Sequence, residues 1–131
     1  MGADEIGPLL ARGMAAADYD NDGDMDVAIA TIGGPLALLQ NNGAQGHWLT
    51  VTLDNFAPGT KLLATLPDGR TLVRELRCGS SYLASEDPRF HLGLGSADHV
   101  TKLALVLPNG HRLEFNDFPA NRIFQVTVPQ N

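Results

Sequence analysis

The sequence predicts an all-β protein, an antiparallel β-sandwich or barrel preceded by a short appended β-meander. Three observations predict it. Apolar and polar residues alternate over short runs through most of the 131 residues, which is the period of a strand with one buried face. Gly, Pro, Asn and Asp turns separate those runs at short spacing. No segment sustains a helical period; residues 96–100 are the one place where a single helical turn fits.

Residues 1–11 carry little pattern beyond Pro8-Leu9-Leu10 and read as an extended N-terminal arm. Residues 12–46 form the next block. In it, residues 12–17 lead into an acidic loop, residues 25–32 and 36–40 are strand candidates, and Asn41-Asn42-Gly43 closes the block. Residues 47–131 form the main β domain. Residues 47–53 place Leu49, Val51 and Leu53 on one face, and Phe90, Leu92 and Leu94 share a face further on. Two hairpins echo one another: residues 61–66 and 70–77 flank Pro67-Asp68-Gly69, and residues 102–107 and 111–115 flank Pro108-Asn109-Gly110. In both, glycine supplies the positive φ that a tight turn needs. Residues 122–128 are the last predicted strand.

The net charge of −6 is concentrated in one place. Residues 18–26 hold five of the 15 acidic residues and no basic one; elsewhere ten acids face nine Lys and Arg. There is no basic stripe of the kind that releases counterions from nucleic acid, and no polybasic cluster for an anionic membrane surface. The longest apolar runs are far too short to insert as a membrane span. Asp4 and Glu5 stand where a signal peptide carries basic residues, so a secreted protein would be represented here by its mature form or a fragment. Cys78 is the one cysteine, so no intrachain disulfide forms, while an intermolecular bridge stays open.

The acidic loop reads Asp18-Tyr19-Asp20-Asn21-Asp22-Gly23-Asp24-Met25-Asp26. Aspartates at loop positions 1, 3, 5 and 9 suit a hard cation, because calcium takes six to eight oxygen ligands and alternate residues of a tight loop can aim carboxylates inward. Gly23 lets the chain turn beneath the ion, Asp24 offers its backbone carbonyl, and Asp26 closes the shell. An EF-hand is excluded: its position-12 glutamate falls on Ile29, and Val27-Ala28-Ile29-Ala30 reads as a strand. Magnesium fits less well, since it prefers octahedral, largely hydrated sites. The rival reading is a solvated acidic turn with no specific ion.

This loop resembles the calcium loop of the FG-GAP or VCBS-type repeat, the blade unit of integrin-like β-propellers. The flanking Met25-Asp26-Val27-Ala28-Ile29, Gly33-Gly34-Pro35 and Leu39-Gln40-Asn41-Asn42-Gly43 are similar to that repeat as well. The following domain resembles the ASPIC/UnbV domain of cartilage acidic protein-like secreted proteins. The similarity rests on His47-Trp48-Leu49, Arg77-Cys78-Gly79-Ser80-Ser81-Tyr82-Leu83, Asp87-Pro88-Arg89-Phe90-His91-Leu92-Gly93-Leu94-Gly95 and Phe118-Pro119-Ala120-Asn121. The resemblance implies that Asp18, Asp20, Asp22 and Asp26 bind Ca2+ by side chain and Asp24 by its carbonyl. It also implies an extracellular setting and an interaction or matrix role without a catalytic site. One repeat is present, and its final strand is missing because Asn41-Asn42-Gly43 runs almost directly into His47. The meander is therefore a partial propeller-blade-like unit, not a closed propeller.

Other constellations read as structural. Ser80, Ser81, Asp87 and His91 lack a nucleophile elbow, and His47, His91, His99 and His111 lack close metal-ligand spacing. Trp48 and Tyr82 could offer a sugar-stacking surface but suit core or rim packing. A partial blade has an open edge that recruits strands. The expectation is a secreted, non-enzymatic, calcium-binding structural or adhesive protein forming a homo-oligomer. A filament could arise by donation of the arm or of Val126-Thr127-Val128 to a neighbour. The alternative is a terminal recognition module of a larger calcium-binding propeller protein that binds extracellular carbohydrate or protein.

Overall fold

The computed structural model describes residues 7–43, 46–77 and 79–129. The chain divides into two compact units, Met1–Ala44 with Cys78–Asp87, and Gln45–Arg77 with Pro88–Asn131. Three strands belong to the first unit: β1 (Ala11–Ala17), β2 (Asp26–Thr31) and β3 (Ala37–Leu39). The second unit holds β4 (His47–Leu53), β5 (Lys61–Thr65), β6 (Thr71–Glu75), β7 (Phe90–Gly95), β8 (His99–Val106), β9 (Arg112–Pro119) and β10 (Arg122–Val126). Among the described residues there is no helix long and apolar enough to cross a membrane.

The second unit is sandwich-like, with a three-stranded sheet β10-β4-β7 and a four-stranded sheet β6-β5-β8-β9. No sheet closes into a barrel among the described residues. The alternation read from sequence sets the core. Leu49 and Val51, Leu62 and Ala64, Phe90, Leu92 and Leu94, Val100, Leu103 and Leu105, and Val126 all turn inward and are buried. Phe115, Phe118 and Phe124 pack edge to face with centroids 4.5–5.9 Å apart. This geometry aligns positive ring edges with negative ring faces.

The two echoing hairpins lie side by side in the four-stranded sheet, joined by antiparallel β5–β8 pairing centred on Leu63↔Ala104. Their turns bond alike. Leu66 N–H donates to Arg70 O and Leu107 N–H to His111 O, each at 2.8 Å. Asp68 and Asn109 each accept the amide two residues on, at 3.0 Å. Gly69 and Gly110 take φ of 87° and 84°, the left-handed region that glycine occupies without steric cost.

Three local expectations need correction. The segment 96–100 forms no helical turn: Ala97 N–H bonds Leu94 O, and β8 begins at His99. One strand pair is parallel rather than antiparallel, β10 running beside β4 from Arg122↔Leu49 to Val126↔Leu53. The physical reason lies in Asn121. After β9 ends at Pro119, Asn121 adopts φ 59°, which asparagine tolerates better than most residues. Its N–H donates to Trp48 O at 2.6 Å and its Oδ1 accepts Trp48 N–H at 3.3 Å. The chain thereby crosses from one sheet to the other without a hairpin. The C-terminal Val126-Thr127-Val128 is also not a spare strand: Val126 pairs with Leu53, and buried Val128 donates its amide to Asp54 Oδ1 at 2.8 Å.

In the first unit, β1-β2-β3 is an antiparallel meander. The segment that the sequence places inside the 47–131 domain, 79–87, belongs with this unit and lies along β1. Met14 N–H donates to Ser81 Oγ at 3.1 Å, and Ser81 pairs with Ala84 across a tight turn. Gly13 makes this approach possible, since a Cβ there would sit 2.9 Å from Tyr82 O. Gly79 has the same role within the segment, where a Cβ would meet Ala84 O at 2.5 Å. Arg12 places its guanidinium 5.7 Å from the Tyr82 ring centroid. Cys78, and the N-terminal part of the arm, lie outside the described residues.

Candidate metal centre

The acidic loop connects β1 to β2, with Ala17↔Asp26 the last paired residues before it opens. Chain geometry keeps it tight: Asn21 takes φ 63° and Gly23 φ 99°. Loop amides that no strand can satisfy are taken up by the aspartates themselves, as buried backbone donors require. Asp18, only 2% exposed, accepts Asp22 N–H on Oδ1 and Gly23 N–H on Oδ2, both at 3.1 Å. Asp22 Oδ1 accepts Asp24 N–H at 2.9 Å. Asp26, also 2% exposed, accepts Tyr19 N–H at 3.0 Å and Asn41 N–H at 2.8 Å, one on each oxygen.

Three of the five sequence-predicted ligands converge. Carboxylate oxygens of Asp18, Asp20 and Asp22 all lie within 4.8 Å of one another. Ligand oxygens around calcium sit at about 2.3–2.6 Å from the ion, so this spread fits a common cation. Asp18 is buried while Asp20 and Asp22 face solvent, which leaves an entry path. The Asp24 amide draws the Asp22 carboxyl downward, but desolvation and the charges of Asp20, Asp24 and Asp18 together outweigh it and hold that carboxyl above the usual aspartate value. That repulsion is what a bound cation relieves.

Asp24 and Asp26 are placed differently. Asp24 is buried, with its amide turned to Asp22, and its carboxylate is outside the converging group. Asp26 ties the two ends of the loop and the end of β3 together; its oxygens retain further lone pairs for a cation. The sequence reading assigned no role to Gln40 or Asn41. Gln40 Nε2 donates to Asp20 Oδ2 at 2.5 Å, and Asn41 supplies the amide to Asp26. Their signal was the motif Leu39-Gln40-Asn41-Asn42-Gly43, whose spacing alone does not reveal a contact twenty residues away.

The remaining candidates have structural partners. Ser81 Oγ accepts the Met14 amide, Ser80 Oγ donates to Glu86, and His91 Nδ1 bonds Thr50 Oγ1 at 3.1 Å. Trp48 is half-buried and stacks on His91 with centroids 6.3 Å apart. Asn121 bonds His47 Nδ1 at 2.9 Å, and His99 Nδ1 bonds Asp98 at 2.6 Å.

Comparison with known proteins places this chain among relatives. Human cartilage acidic protein 1 is 26% identical over 129 residues, covering 91% of this chain and 19% of its own length. The mouse protein of the same name is also 26% identical over 129 residues, with 20% of its length covered. The Xenopus tropicalis protein is 29% identical over 106 residues, 16% of its length. The chain thus spans about a fifth of its relatives' length or less. The family model described as ASPIC and UnbV matches residues 51–131. That match covers well over half of the sequence, and the chain belongs to the ASPIC and UnbV family.

Proposed function

We propose that this chain is an extracellular, calcium-binding structural module in which the ion braces the β1–β2 loop and supports self-association. The observation that carries this reading is the convergence of the Asp18, Asp20 and Asp22 carboxylates within 4.8 Å. Those side chains would hold the ion, with Asp26 and the Asp24 carbonyl completing the shell. The loop and its flanks resemble an FG-GAP or VCBS-type repeat, which supports calcium over other hard cations. Relatives named for cartilage and for acidity support the extracellular setting.

Calcium in this reading is a staple. It binds the folded loop and not the unfolded chain, so it adds stability by mass action. Sites in extracellular modules work with dissociation constants of roughly 10⁻⁴ to 10⁻³ M. A second reading is favoured by the relatives' greater length: the chain would be one recognition module of a larger protein, binding extracellular carbohydrate or protein. Calorimetric titration of the chelator-stripped chain with calcium tests the main reading. Saturable binding of one or more ions per chain is expected, and heats indistinguishable from dilution would refute it.

A further inference from the structure

In the second unit the chain crosses from β9 to β10 through Pro119-Ala120-Asn121, and its backbone is fastened on both sides. Ala120 N–H donates to Asp98 O at 2.9 Å, and Asn121 N–H donates to Trp48 O at 2.6 Å. The Asn121 side chain adds a further fastening, because it reaches two groups of β4 at once. Its Oδ1 accepts Trp48 N–H at 3.3 Å, and its Nδ2 lies 2.9 Å from His47 Nδ1. The strand that follows, β10, is an edge strand of its sheet, so this crossover sets where its pairing with β4 begins.

The Asn121 amide also fixes the protonation state of His47. Trp48 N–H can only donate, so the amide turns its oxygen there and its NH2 toward His47. His47 Nδ1 therefore accepts, which requires the neutral ring with its hydrogen on Nε2. A proton added to Nδ1 sets two donors against each other. Turning the amide over gives His47 an oxygen but sets the NH2 against Trp48 N–H. Flipping the imidazole puts a carbon where Nδ1 was. Once the ring is charged, no arrangement of these three groups keeps both bonds.

At this end of the unit the titratable and charged groups are Asp98 before β8, His99 at its start, Asp117 near the end of β9 and Arg122 at the start of β10. On β7, His47 pairs with Gly95, and His91 further along bonds Thr50. Asp98 is the group that can receive a charged His47. Its carboxyl is held below the usual aspartate value, first by the 2.6 Å hydrogen bond with His99 and last by the charge of His47. Its side chain is 77% exposed, which leaves room for a second partner.

We propose that His47 and Asn121 form a pH-sensitive latch on β10. With His47 neutral, the Asn121 amide clamps the crossover to β4; protonation frees that side chain, draws His47 toward Asp98 and loosens the start of the edge strand. Histidine suits this role because it is the side chain whose charge changes between about pH 5 and 8. A loosened β10 opens backbone groups of β4, the kind of edge that recruits other strands.

Amide hydrogen exchange of residues 120–124 tests the latch, on the full chain in excess calcium at about pH 7.5 and about pH 5, corrected for the intrinsic pH dependence of exchange. Protection should fall about 3- to 10-fold in acid, as for the loss of one hydrogen bond. His47→Gln should abolish the fall, because its side-chain oxygen accepts from Asn121 and does not titrate. Asn121→Asp should reverse it: a carboxylate accepts from both Trp48 N–H and a charged His47, and aspartate tolerates the positive φ. His99→Gln should leave the fall in place. Protection in the wild type that is independent of pH overturns the latch. So does a fall that survives His47→Gln or vanishes in His99→Gln. If His47→Gln does not fold, Asn121→Asp decides alone, and loosening in acid as in the wild type overturns the latch.

Discussion

Replacing Asp20 by alanine separates a metal ligand from a loop brace. Asp20 is exposed, and its carboxylate accepts a hydrogen bond from Gln40, beyond the end of β3. Without calcium its loss costs about 1 kcal/mol or less, the net worth of one exposed bond. With calcium at about 10 mM and a dissociation constant near 10⁻⁴ M, the wild-type loop gains about 2.7 kcal/mol. At about 3–5 °C per kcal/mol for a chain of this size, calcium should raise the melting temperature by roughly 10 °C. Asp20→Ala should lose most of that increment while melting near wild type in chelator. Asp18→Ala should behave otherwise, because it strands the amides of Asp22 and Gly23. It should be destabilised even in chelator, by roughly 2 kcal/mol or more. Thermal melts by circular dichroism, paired with hydrogen exchange across residues 18–29, provide the assay, and Asp68→Ala is the control outside the loop. If calcium raises the Asp20→Ala melt as far as it raises wild type, the converging carboxylates are not the site.

Three further outcomes follow from the packing. Gly13→Val should loosen the 79–87 segment, since a Cβ there lies 2.9 Å from Tyr82 O; faster hydrogen exchange in that segment is the readout, and unchanged exchange would contradict the close approach. Leu105→Ala, at a site with 0% exposure, should cost about 2–5 kcal/mol in urea unfolding, the range for a buried leucine. A cost under about 1 kcal/mol would mean that the two sheets are not packed on this residue. Glu114 is held below the usual glutamate value, by the hydrogen bond from Arg112 first and then that from Lys102. A lowered folded value means its stabilising effect is complete above the unfolded value of 4.5 and fades as pH falls through the lower folded one. Glu114→Gln should therefore flatten the acid limb of stability below that pH; superimposable limbs would show that the pairings with Arg112 and Lys102 contribute nothing.

Much of this molecule is legible from local pattern alone. Leu49, Val51, Leu92 and Leu94 are buried because every second residue of a strand faces the same way. Pro67-Asp68-Gly69 and Pro108-Asn109-Gly110 turn because glycine alone takes the required φ without strain. Asp18, Asp20 and Asp22 are alternate residues of a tight loop, and their carboxylates lie within 4.8 Å of one another. These are properties of neighbouring residues, and local sterics decide them.

What tertiary structure decided involves residues far apart in the chain. Parallel pairing of β10 with β4 depends on Asn121 meeting Trp48, seventy-three residues away. The return of segment 79–87 to β1 depends on Gly13 meeting Tyr82, and no periodicity in either stretch encodes that meeting. Asp18 and Asp26 look equivalent to Asp20 in sequence, yet burial turns them into acceptors for backbone amides, while Asp20 stays at the surface. Which aspartates brace the loop is set by the amides that the folded chain brings to each one. Sequence spacing determined that Asp18, Asp20 and Asp22 gather; the amides that the folded loop and the end of β3 bring to Asp18 and Asp26 determined that these two brace it.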